Sequence, residues 1–132
     1  MPRKLLILAL LVCGCGTYVN YTPLRRVARG EPRSPQSVDV YLTSPPTEPH
    51  VDVGILEAEQ ESDLSLDDTR EMLIALRKEA GRRGCDAIFV KGFGTNTSGG
   101  VFTTAVSSTK TITATCIHYT EDERSVAQRA RR

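Results

Sequence analysis

One stretch of this chain carries a sustained helical repeat, and it dictates what the rest must do. From Ser65 to about Arg83, Leu66, Met72, Leu73, Leu76 and Ala80 fall on one face, an arc of roughly 120° at about 100° per residue. Ser65 with Asp68 makes a capping-box-like start, and Asp67, Asp68 and Glu71 sit where the helix dipole favours anions. Arg77, Lys78, Arg82 and Arg83 load the last turns with cations, and Gly81 or Gly84 supplies the stop. A single apolar stripe is buried only against a second layer. The flanking segments, which alternate with period two, predict that this layer is a sheet.

Val38, Val40 and Leu42 alternate with Asp39 and Tyr41, which predicts a first strand with one wet face. Thr43 to Pro49 holds Pro45, Pro46 and Pro49 and reads as a loop. Val51, Val53 and Ile55 define a second strand running to about Glu57. Ala87-Ile88-Phe89-Val90 shows no alternation and reads as a central strand, buried on both faces. A helix between these two strands predicts a right-handed crossover that lays them parallel. Gly92 to Gly100 reads as a turn-rich loop, and Val101 to Val106 and Thr109 to Tyr119 as strands joined by a turn at Ser107-Ser108. In the last strand Ile112, Ala114, Cys116 and His118 share one face. The expected fold is α+β: one helix on a small mixed sheet of four to five strands, in the order β-β-α-β-β(-β), behind a disordered N-terminal tether.

The chain has 132 residues, 39% hydrophobic and 25% charged, with a net charge of +1. Those values fit one small aliphatic-cored domain and argue against full disorder or a multi-pass membrane protein. The balance of charge argues against a nucleic-acid partner.

Chemistry-bearing patterns are few. Gly92 and Gly94 follow a strand but lack the third glycine, the following helix and the Lys-Ser/Thr signature of a phosphate cradle. His50 and His118 have no partner at ligand spacing, so a metal site would have to be assembled in three dimensions from His50, Asp52, His118 and a carboxylate of the acidic segment. The bland alternative is one surface histidine and one packed near an edge. Glu48 to Asp68 holds eight acids and no Lys or Arg, without the spacing of a calcium loop, and reads as a solvated acidic face. No nucleophile elbow occurs. The expectation is a protein that is not an enzyme, with no cofactor, no metal and no catalytic residues.

The N-terminus points to an address. Met1-Pro2-Arg3-Lys4 is a basic start, and Leu5 to Val12 is an apolar run of eight, far below the roughly 20 residues that span a bilayer. It matches a secretory signal peptide. Val12-Cys13-Gly14-Cys15 resembles the lipobox of bacterial lipoproteins. The resemblance implies cleavage after Gly14, with diacylglyceryl modification and N-acylation (a palmitate-type chain) at Cys15. Gly16 in place of an inner-membrane-retaining Asp favours the outer membrane, facing the periplasm, over the inner membrane or cell surface. The expected partition is signal peptide 1–14, lipidated anchor and flexible basic tether 15–37, periplasmic domain 38–119 and charged tail 120–132. Arg25, Arg26, Arg29 and Arg33 give the tether its charge, read either as solvated or as touching anionic headgroups.

With Cys13 removed and Cys15 acylated, Cys85 and Cys116 remain as an even pair in an oxidising compartment. One precedes the central strand and the other lies late in the last strand. If those strands are antiparallel neighbours, the two Cα atoms come within disulfide reach. Two buried free thiols are the alternative.

From Leu73 to Tyr119 the chain resembles the periplasmic domain of the RcsF-type outer-membrane sensor lipoproteins and related lipoproteins of unknown function. Arg83-Gly84-Cys85-Asp86-Ala87-Ile88-Phe89-Val90 and Ala114-Thr115-Cys116-Ile117 carry the resemblance. That family's domain holds two disulfides; here Cys116 falls at a matching place, and Cys85 sits before the strand rather than after it. The resemblance implies the fold and an outer-membrane location; an anchored, tethered domain without catalytic residues reads as a non-enzymatic lipoprotein, held to the membrane through its lipid. Its small domain would bind an envelope protein partner, in stress sensing or envelope maintenance. A ligand- or metal-binding periplasmic module is the alternative.

Overall fold

The computed structural model describes residues 16–26, 30–62, 67–99 and 106–120. The signal-peptide segment, Cys15, the Ser65 cap, most of the expected Val101–Val106 strand and the tail from 121 lie outside them.

Five strands and one α-helix make two layers: β1 (Tyr18–Pro23), β2 (Asp39–Tyr41), β3 (His50–Ser62), α1 (Asp67–Arg83), β4 (Ala87–Gly99) and β5 (Val106–Tyr119), with a short 3₁₀ turn at Pro35–Ser37. The sheet order is β1-β3-β5-β4-β2. β3 and β4 each pair antiparallel with β5, β1 pairs antiparallel with β3, and β2 pairs parallel with β4. The α+β class and the single helix stand as expected. The crossover does not join neighbours: β3 and β4 run in the same direction with β5 between them, so β5 is the central strand and β4 lies next to the β2 edge. The parallel neighbour of β4 is β2.

Helix and sheet meet through the stripe expected from spacing. Met72, Leu76 and Ala80 are fully buried against Leu56 and Ala58 of β3, Ile88 and Val90 of β4, and Ile112, Ala114 and Cys116 of β5. The helix stops at Gly84, whose φ of +78° a glycine adopts without the penalty a Cβ would bring. Gly84 N–H donates to Gly81 O at 3.1 Å and Cys85 N–H to Ala80 O at 2.9 Å, the two bonds of a Schellman end.

Three further expectations need correction. The first is the flexible tether over 15–37. Thr17, Val19 and Tyr21 turn toward the helix side while Tyr18, Asn20 and Thr22 face solvent, making β1 an edge strand of six residues. Farther on, Arg33 N–H donates to Gly81 O at 2.8 Å, pinning this segment to α1. The domain therefore starts near residue 17 rather than 38, and three strands precede the helix.

The second is the inward face of the first strand. β2 is three residues long; Val38 ahead of it is buried, yet Val40 and Leu42 are 37% and 55% exposed. Arg77 holds the entry to β2, donating through Nε to Val38 O at 2.9 Å and through Nη2 to Gln36 O at 3.1 Å. After Tyr41 the chain leaves the sheet edge, so Val40 and Leu42 find no second layer.

The third is the Gly92–Gly100 loop and the Ser107-Ser108 turn. β4 continues to Gly99 and β5 begins at Val106, so Ser107 and Ser108 pair with Ser98 and Thr97 within the ladder. A register shift at Val90/Gly92 bulges Lys91 out of it.

Candidate functional site

The Cys85–Cys116 disulfide joins the helix end to the central strand, with Cα atoms 5.5 Å apart and both residues fully buried. Its geometry follows from the antiparallel β4–β5 pairing, which sets Ile88 opposite Cys116 and brings the residues just before β4 beside the end of β5.

Beside the disulfide, Asp86 gathers three chain segments. Its Oδ1 pairs with Arg33 Nη2 at 2.6 Å; its Oδ2 accepts from Tyr119 N–H at 2.9 Å and stands 3.3 Å from His118 Nδ1. Both carboxylate oxygens are thus engaged by charged or hydrogen-bond partners. The arrangement ties the N-terminal segment to the end of β5. Its chemistry is structural, since Asp86 serves three positions at once and no sequence pattern announces it.

On the opposite face of the same end, Tyr119 Oη lies 3.0 Å from Tyr41 Oη and donates to Asp39 Oδ2 at 3.3 Å. With the Tyr119 proton directed at the carboxylate, Tyr41 is the donor to Tyr119. Burial foremost, then the Tyr41 hydrogen bond and charge and the nearby Asp39, push the Tyr119 phenol well above its ordinary 10.0. Thr115 on β5 is 1% exposed, and its Oγ1 has no hydrogen-bond partner among the described residues.

The three-dimensional metal set of the sequence reading is not assembled. Register places Val51 opposite His118, and His50 and Asp52 opposite Tyr119 and Ile117. Side chains alternate faces along a strand, so His118 lies on one face and His50 and Asp52 on the other. His50 Nδ1 bonds instead to Glu48 O at 2.7 Å. Among the described residues no group of three or more His, Cys, Asp or Glu is placed to hold a metal ion. Gly92 and Gly94 lie within β4, and a Cβ at Gly92 would meet nothing within 4 Å, so no cradle forms there.

Along α1 lie a shallow depression lined by Thr17, Val19, Ala75, Lys78, Glu79 and Arg82 and another lined by Pro32, Glu79, Arg82 and Arg83. Glu79 pairs with Arg82 at 3.3 Å and with Arg83 at 2.8 Å. A more extended feature is the outer edge of β4. β2 pairs only with Ala87 to Phe89, so among the described residues no strand covers β4 from Lys91 to Gly99. Phe93, 62% exposed, lies on this uncovered length.

No protein-family profile and no curated protein matches the chain. Among solved structures, it is similar to the crystal structure of a Francisella virulence factor, FvfA, in its orthorhombic form. The two share 19% identity over 74% of this chain and 96% of that one, with a TM-score of 0.48.

Proposed function

We propose that the protein is a non-enzymatic bacterial lipoprotein, anchored through Cys15 and facing the periplasm from the outer membrane, whose domain binds an envelope protein. The observation that carries this reading is the pairing of a lipobox at Val12–Cys15 with a fully buried disulfide between Cys85 and Cys116. Disulfides persist in exported proteins and are rare in the reducing cytosol. The RcsF-type resemblance over Leu73–Tyr119 agrees with the same compartment and suggests a part in stress sensing or envelope maintenance.

The binding half of the reading is supported by the uncovered length of β4. Edge strands display unpaired N–H and C=O groups that accept an extended peptide as an added strand. Among the described residues β2 pairs with β4 only as far as Phe89, and Lys91 is the one charged residue on the length from there to Gly99.

Site-specific photo-crosslinking in living cells tests this. A photoreactive residue at Thr95, on the open edge, is expected to yield a discrete crosslinked protein; the same residue at exposed Glu71 on α1 is not. Absence of any adduct from Thr95 under both resting and stressed envelope conditions would count against partner binding through this edge.

A further inference from the structure

The first strand changes where an anchor at Cys15 would sit. Only Gly16 and Thr17 separate Cys15 from Tyr18, the first residue of β1. Three Cα steps of extended chain reach at most about 11 Å. Thr17 is itself held: its Oγ1 donates to Gln60 Oε1 at 2.7 Å, and Gln60 Nε2 donates to Asp68 Oδ1 at 3.4 Å. The N-terminal end of β1 is thereby bonded to β3 and, through it, to the start of α1. A domain joined to its acyl chains by so little slack keeps one flank against the headgroups.

The flank nearest the anchor is identifiable. Thr17 and Val19 share a depression with Ala75, Lys78, Glu79 and Arg82 of α1. Lys78 is exposed and forms no ion pair among the described residues. Arg82, with its side chain 73% exposed, shares the Glu79 carboxylate with Arg83, so two guanidiniums meet one acid. Ile74, one turn before Lys78, is 58% exposed. Glu71 is the acid on this outward stripe. Basic side chains around an exposed apolar residue are the composition of a surface that rests on anionic headgroups.

Resting on the Cys15 anchor proposed above, we infer that Ile74, Lys78 and Arg82, beside the N-terminal end of β1, form a docking surface for a bilayer containing anionic phospholipid. The short link orients the domain. The opposite edge of the sheet, with β2 and the open length of β4, is then turned away from the membrane and toward a partner.

The test uses the full, cell-processed chain held by its own anchor in vesicles of phosphatidylglycerol and phosphatidylethanolamine. A fluorophore is attached at Ile74→Cys or, as the control on the far edge, at Leu42→Cys, and quenching by headgroup-nitroxide lipid is read. Quenching at position 74 is expected to exceed that at 42 several-fold, and to fall to the level at 42 in phosphatidylcholine vesicles or in the double variant Lys78→Glu, Arg82→Glu. Equal quenching at the two positions in a protein shown by mass spectrometry to carry acyl chains overturns the docking surface alone. A protein carrying no acyl chain at Cys15 overturns the anchor reading and the docking surface with it.

Discussion

Gly84 ends the helix because its φ of +78° is forbidding to a side chain, and because Gly30 packs against it from the N-terminal segment. Gly84→Ala is expected to cost about 1–2 kcal/mol from the left-handed backbone, and more if Gly30 is displaced. The loss is read as a lower melting temperature. Gly84 was legible in the sequence as one of two possible stops; its contact with Gly30 was not, because a contact across 54 positions leaves no periodic trace. The same holds for Asp86, whose three partners come from distant segments. Tyr119 makes a pH prediction. Its folded pKa is raised, so its contribution to stability is fully present below pH 10.0 and is lost as the pH rises above that value, where the unfolded chain gives up the proton first. Tyr119→Phe is therefore expected to lose less stability than the natural protein between neutral pH and the alkaline side of 10.0, measured by denaturant titration at each pH.

At the scale of elements, what was readable depended on contrast between the two faces. α1 and β5 have it: Met72, Leu76 and Ala80 stand against charged neighbours, and Ile112, Ala114 and Cys116 against threonines. Both elements lie where their periodicity places them, with β5 beginning three residues earlier, at Val106. β1 lacks it, because Tyr18 and Tyr21 lie on opposite faces and Thr occurs on both, so its period of two carries no hydropathy signal. The end of β4 misled in the other direction. Gly, Thr, Asn and Ser have turn chemistry, yet from Gly92 to Gly99 the ladder with β5 keeps them extended. Leu76 lies fully buried at the centre of the stripe, and Leu76→Ala is expected to destabilise by about 2–5 kcal/mol, measured by chemical denaturation. The disulfide spans a sequence separation of 31 and is expected to contribute about 3–4 kcal/mol on the chain-entropy view. Alkylating the unfolded, unreduced protein is expected to leave Cys85 and Cys116 unmodified, whereas prior reduction exposes both and lowers the denaturation midpoint.

For the whole molecule, the decisive difference from the sequence reading is the loss of the tether. A domain beginning near residue 17 rather than 38 shortens the expected leash to a few residues; on the anchor proposed at Cys15, α1 and β1 would lie on the membrane side and the β4 edge on the other. None of the candidate ligand sets survives this geometry: the sheet separates His118 from His50 and Asp52, and Asp86 is occupied in holding chain ends together. The domain is two layers stapled by the Cys85–Cys116 disulfide. The central claim, that Cys15 fastens this domain to a membrane, is tested most directly by feeding cells labelled palmitate and fractionating the Cys15→Ser variant. The account predicts that label enters the natural protein and not the variant, and that the variant leaves the membrane fraction. Labelling of Cys15→Ser at the natural level would contradict it.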